Sequence, residues 1–291
     1  MTEQFGDGAD AHDSDSARCP FRHASLGDVR PRHPHVRRLR KAPIGLRDRA
    51  DLAAKTHLTD EHGVRDVGVI VVAAGASTRT GSPEPKQFRW VAGKPMLLHS
   101  VHTFMERHDV VAVVCVLPAR YAGDPPPWLF QCDVERLLVS VGGRTRTESV
   151  HNGLEDLPDE ARIVLVHDAA RPLVDHGTID RVIAEARAGR AATAALPVVD
   201  TLKEVAENGR VTGTVPRERL WRAQTPQGFP REVIQRAYAE ARRRGIAATD
   251  DVALCEQLGQ EVVVVRGSER AMKVTSEDDF ARVEALLPLD E

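Results

Sequence analysis

From residue 66 onward, short apolar runs alternate with segments that carry apolar residues at helical spacing. The runs Val67–Ala74, Val110–Leu117, Leu137–Val141, Ile163–His167, Ala191–Val198 and Glu261–Val265 have the length and β-branched content of buried strands. Between them, Met96–Arg107, Thr147–Leu157, Thr178–Ala188, Arg231–Arg243, Asp250–Leu258 and Glu277–Leu287 predict helices. A parallel strand pair needs a crossover about as long as such a helix. The alternation therefore predicts an α/β, Rossmann-like fold, a mostly parallel sheet with helices on both faces. Sheets of this kind bind ligands beyond the carboxyl ends of their strands, where the Ala73 loop, the Gly142-Gly143 loop and His167-Asp168 all fall.

One segment breaks the rhythm. Thr201–Glu207 and Arg210–Val215 flank Asn208-Gly209, the strongest short-range signal for a hairpin. With so little apolar surface the hairpin is marginal alone, so residues of about 199–220 form a protruding β-arm that needs a lid position or another subunit. Residues 1–65 show no sustained period and are read as a disordered extension ahead of the 66–291 domain. A net charge of −3 over 291 residues argues against nucleic acid as a general partner. No apolar run approaches the roughly 20 residues of a membrane span. The four cysteines form no CxxC pair, in keeping with free thiols in a reducing compartment. The expectation is a cytoplasmic protein with no nucleic-acid or membrane partner.

The chemistry-bearing residues sit at the strand ends. Val72-Ala73-Ala74-Gly75-Ala76-Ser77-Thr78-Arg79 leads from a strand into a small-residue loop, and Pro85-Lys86-Gln87 follows. Backbone N–H groups of such a loop make an anion nest, Gly75 allows close approach, and Arg79 and Lys86 bring the fixed positive charge that a polyphosphate needs. The loop is neither a Walker A sequence nor a GxGxxG fingerprint. Gly142-Gly143-Arg144-Thr145-Arg146-Thr147-Glu148-Ser149 opens a helix, and its backbone with Ser149 is placed to read a base edge. Asp168, at the end of a strand, suits a Mg²⁺–phosphate complex, since Mg²⁺ takes one or two carboxylates plus phosphate oxygens. His167 on the same buried strand is read as a structural group. Asp200-Thr201-Leu202-Lys203 and Arg217 bracket the arm, Thr225-Pro226-Gln227 follows it, Thr249-Asp250-Asp251 caps a helix, and Lys273 precedes the last one.

Taken together, AAGxxxR with PKQ, GGRTRTES, HDAARP, DTLK, QTPQGF, TDD and MKVTSEDD closely resemble the 2-C-methyl-D-erythritol 4-phosphate cytidylyltransferase family. The resemblance runs from about Val67 to Leu287. It implies a nucleotidyltransferase that moves CMP from CTP to the acceptor phosphate in the non-mevalonate isoprenoid pathway, with Mg²⁺ as divalent cation. It also implies that Arg79 and Lys86 stabilise the transferring phosphoryl group, and that Arg217 and Lys273 hold the acceptor for attack. Ala73, Ala74, Gly75, Gly143 and Ser149 would bind CTP, while Arg171, Thr201, Thr225 and Thr249 line the acceptor pocket and Asp168 lies by the metal. A homodimer with exchanged β-arms is implied too, Arg217 reaching the partner's site. The chain departs from the family at Ser77, where a second glycine is usual, and at Arg144, where an acidic or polar residue is common. A pentitol-phosphate cytidylyltransferase, such as the ribitol 5-phosphate enzyme, remains the alternative.

Overall fold

The computed structural model describes residues 64–75, 85–246 and 248–287, with the backbone of Arg37 and Arg38. In chain order the strands are β1 (Arg37–Arg38), β2 (Val67–Val72), β3 (Trp90–Val91), β4 (Lys94–Pro95), β5 (Val110–Leu117) and β6 (Leu137–Val141). They continue with β7 (Ile163–Asp168), β8 (Ala191–Pro197), β9 (Leu202–Val205), β10 (Val211–Val215), β11 (Trp221–Pro230) and β12 (Val262–Arg266). The helices are α1 (Met96–Met105), α2 (Ala119–Gly123), α3 (Arg146–Asp156), α4 (His176–Arg187), α5 (Arg231–Arg244), α6 (Asp251–Gln257) and α7 (Glu277–Leu286).

An eight-stranded sheet runs in the order β1-β6-β5-β2-β7-β11-β8-β12. The pairs β6–β5, β5–β2, β2–β7 and β8–β12 are parallel, whereas β11 is antiparallel to both of its neighbours and β1 is antiparallel to β6. The mostly parallel α/β sheet expected from the alternation is the fold observed. Strands that are apolar throughout still divide their side chains by the period of two. Val67, Val69 and Val71 enter one core with Leu97, Val101 and Phe104 of α1 and Ile179, Val182 and Ile183 of α4. Ile70 enters the other with Val150 and Leu154 of α3, Ile234 and Tyr238 of α5, and Val252 and Leu254 of α6. Helices thus cover both faces.

Apart from the short β1, β3, β4 and α2, β11 is the element that sequence periodicity does not reveal. It carries Gln224, Thr225 and Gln227, all buried, with Pro226 among them. Proline cannot donate to a ladder and is tolerated where pairing is interrupted. Here the register against β8 shifts between Ala223 and Gln227. The expected hairpin forms from β9 and β10. Its turn places Gly209 at φ 81°, with the Gly209 N–H donating to the Ala206 carbonyl and the Arg210 N–H to the Asn208 side chain. Asn208 and Gly209 serve as the last two positions of a four-residue turn, and the left-handed residue is the glycine. Of residues 1–65, read as an extension, only the paired Arg37–Arg38 and residues 64–65 are described. No helix among the described residues is long and apolar enough to cross a membrane.

The loop that carries Lys273 is anchored by the start of α7. Ser276 caps the helix in a capping box with Asp279, and the Asp279 carboxylate accepts from the N–H of Thr275 at 2.8 Å and of Ser276 at 2.9 Å. Burial works to raise this carboxyl, but those donors outweigh it and hold it at about 2. Asp279→Ala is expected to cost about 1–2 kcal/mol, as for other lost caps. A depressed carboxyl contributes fully above its ordinary value of 3.8 and loses that contribution as pH falls toward 2. Denaturation midpoints of the wild type and Asp279→Asn should therefore stay apart down to about pH 4 and converge between about pH 4 and pH 2. An unchanged gap would refute the cap's ionic character.

Candidate active site

Backbone pairing alone brings the loop segments of the site together. Val72 is in register with Asp168, the Ala169 N–H donates to the Val72 carbonyl, and the Ala73 N–H to Val116. On the other side the Gly142 N–H donates to Leu117 at 2.7 Å. The Ala73-Ala74-Gly75 loop therefore lies between the Asp168 strand end and the Gly142-Gly143 loop. Gly142 is required there, because a Cβ would lie 2.2 Å from that of Ala74. Residues 76–84, including Ser77 and Arg79, lie outside the described residues, and the chain is next described at Pro85. The Gln87 side-chain amide then donates to the Ala73 carbonyl, closing the PKQ turn onto the loop. Phe88 packs edge-on against Tyr121 and Trp128, at 4.6 and 5.5 Å between centroids, and anchors the same turn.

The charged groups converge on one carboxylate. Lys273 Nζ lies 2.6 Å from Asp168 Oδ2, and Arg146 Nη2 lies 3.6 Å from Oδ1. Burial acts to raise the Asp168 carboxyl, yet Lys273, Arg146 and Arg171 bring it down to about 2, so it is ionised at neutral pH. Lys86 Nζ donates to the carbonyl of Val274 at 2.8 Å, next in sequence to Lys273. The segments of the two lysines thereby meet although 187 positions separate them. The Arg171 guanidinium donates to the carbonyls of Ala271 and Ala223, and its Nε finds no partner among the described residues. Thr225 supplies its hydroxyl oxygen to the Asp168 N–H at 3.0 Å and meets His167 Nδ1 at 3.1 Å.

His167 is fully buried, and its Nε2 lies 3.1 Å from the Arg171 carbonyl. Burial, with Arg171, pulls its pKa down to about 4 against the pull of Asp168. A neutral ring with both nitrogens engaged is structural, as its place on a strand suggested. Ser149 is buried, and its hydroxyl donates to the Thr145 carbonyl while accepting from the Gly143 N–H. Its donor is thus committed to shaping the loop, and the oxygen keeps acceptor capacity only. Arg144 turns outward onto Glu148, 3.0 Å away. Thr249 is exposed one residue before Asp250, which caps α6. Thr201 and Arg217 are exposed on the arm, with Arg217 donating to the Val199 carbonyl. Among the described residues no hydrogen bond or ion pair joins either to the Asp168 cluster.

The sequence reading passed over Arg146 and Asp251 as site residues. Arg146 grips the fully buried Asp251 through both terminal nitrogens, at 2.9 and 2.7 Å. An arginine and an aspartate so far apart in sequence carry no local signal of pairing. Gln227 shows its role only in the fold. Its side-chain oxygen accepts the N–H groups of Asp251 and Val252, and its amide donates to Asp250.

The donor set bears on a metal. Among the described residues no group of three or more His, Cys, Asp or Glu side chains gathers. A lone ionised carboxylate at a strand end fits Mg²⁺ carried in on phosphate oxygens, which needs only one or two carboxylates from the protein.

Comparison with known proteins agrees with the geometry. The family model of IspD, 2-C-methyl-D-erythritol 4-phosphate cytidylyltransferase, matches residues 67–288. The chain belongs to this family. The enzyme of that name from Desulforamulus reducens is 37% identical over 224 residues, 76% of this chain and 96% of its own. The one from Xanthomonas campestris pv. campestris is 41% identical over 75% of this chain and 83% of its own. Among solved structures, the cytidylyltransferase of Thermus thermophilus superposes with a TM-score of 0.65 at 37% identity, covering 76% of this chain and 98% of that one. That of Francisella tularensis gives 0.66 at 26% identity, over 76% and 100%.

Proposed function

We propose that this chain transfers CMP from CTP to 2-C-methyl-D-erythritol 4-phosphate, giving the CDP-linked product and pyrophosphate in isoprenoid precursor synthesis. One observation carries the reading. At the carboxyl ends of parallel strands, Lys273, Arg146 and Arg171 bear on the carboxylate of Asp168, and Lys86 joins the segment that carries Lys273. Such an excess of cations suits two anionic substrates that must meet.

A phosphate oxygen of the acceptor attacks the α-phosphorus in line, the bond to the bridging oxygen breaks, and pyrophosphate leaves. The acceptor oxygen is already anionic, so no general base is required, in keeping with the buried neutral His167. In this reading Ala73, Ala74, Gly75 and Gly143 hold the nucleotide through their backbone, and Ser149 fixes that backbone in place. Lys86 and Arg79 bear on the charge that develops at the transferring group. Lys273 and Arg217 hold the acceptor phosphate, and Arg171, Thr201, Thr225 and Thr249 line its pocket. Asp168 would hold Mg²⁺, which neutralises triphosphate charge and orients it when bound. The arm pairs with a second copy in a homodimer, and the enzyme works in the cytoplasm.

The deciding assay is pyrophosphate release from CTP with each acceptor in turn. Turnover with methylerythritol phosphate and little with ribitol 5-phosphate is expected. The reverse would assign the chain to the pentitol-phosphate enzymes.

A further inference from the structure

We infer that Arg146 is a positioning residue, held by a buried Asp251 so that it fixes both the nucleotide loop and the Asp168 carboxylate. The inference rests on the cytidylyltransferase reading and adds to it a residue with no assigned role. Arg146 is the first residue of α3, immediately after the loop that starts at Gly142. Its two terminal nitrogens take the two oxygens of Asp251, the first residue of α6. Asp251 is in turn fixed by the Tyr238 hydroxyl from α5 and, through its N–H, by Gln227 of β11. The fork is thus anchored from its far side by Tyr238 and Gln227, two side chains given no substrate contact.

Only arginine can complete this arrangement. While Nη1 and Nη2 hold Asp251, the second N–H of Nη2 remains for Asp168 Oδ1, 3.6 Å away. Lys273 holds Oδ2 from the other side at 2.6 Å. The Asp168 carboxylate is therefore set between two cations, one of them immobilised by a buried partner. Asp251 outweighs the cost of burial and raises the Arg146 pKa, so the guanidinium stays charged. A lysine would keep the charge but could not bridge both carboxylates in a fixed plane.

The test compares wild type with Arg146→Lys, Asp168→Asn, the double variant and Tyr238→Phe. Arg146→Lys should lower kcat by about 10- to 100-fold, the size expected of a small displacement in a reacting site. The acceptor KM should change by less than about threefold, because the acceptor contacts are untouched. The double variant should be no worse than Asp168→Asn alone. Multiplying effects would show that Arg146 does not act through Asp168, and wild-type kcat in Arg146→Lys would overturn the inference outright. Should Arg146→Lys fail to fold, Tyr238→Phe, which removes only the hydroxyl on Asp251, should still lower kcat by about two- to fivefold at unchanged acceptor KM. No change in that variant would count against the inference. Wild type silent with both acceptors would instead overturn the cytidylyltransferase reading. In that event hydrogen exchange over residues 142–149 decides: faster exchange in Arg146→Lys or Tyr238→Phe supports the strut, and unchanged exchange refutes it.

Discussion

Lys86→Ala is expected to lower kcat by about 10²-fold or more, with a much smaller change in CTP affinity. The reason lies in how the side chain is mounted. Lys86 opens a short 3-10 turn whose next residue, Gln87, is locked onto the Ala73 carbonyl and whose Phe88 packs against Tyr121 and Trp128. Truncating Lys86 removes the ammonium and leaves that scaffold in place. The loss should thus fall on charge that develops during transfer and spare ground-state binding. Single-turnover rates at saturating CTP measure this directly. Equal losses in kcat and in CTP affinity would make Lys86 a binding residue, and near-wild-type turnover would remove it from the mechanism. Arg79→Ala is expected to behave alike, since the family resemblance gives Arg79 the same task.

Mixing Arg217→Ala with Lys86→Ala should restore activity that neither protein has alone. Arg217 is exposed on the arm, and its guanidinium donates to the Val199 carbonyl. The arm leaves Val205 53% and Val211 56% exposed, so it buries little apolar surface of its own, and a two-stranded hairpin in that state is marginal alone. A C₂ dimer with exchanged arms would cover this surface isologously and carry Arg217 into the partner's site. In a heterodimer one site then combines an intact arm with an intact Lys86, and the other has neither. At statistical exchange half of the dimers are mixed and half of their sites work, so about a quarter of the wild-type rate returns. Heterodimers seen by native mass spectrometry without recovered turnover would place Arg217 in its own subunit's site and sink the exchanged-arm arrangement.

What the sequence by itself determined was whatever depends on neighbouring residues. Continuous apolar runs located the parallel strands and helical spacing the longer helices around them, because burial on both sheet faces or on one helix face imposes those patterns on nearby positions. Asn208-Gly209 located the arm because only the local backbone decides a turn, and the motifs at strand ends located the family. Tertiary structure alone decided what depends on distant partners. β11 was hidden because its polar residues are buried by contacts made elsewhere, Gln227 with the start of α6 and Gln224 with Ser268. No periodicity marks a strand whose inward side chains are polar and satisfied across the fold. The joining of Lys86 to the Lys273 segment and the Arg146–Asp251 pair belong to the same class. Each is a charge stabilised by a group more than a hundred residues away in sequence, brought within reach only when the sheet had set its strand order.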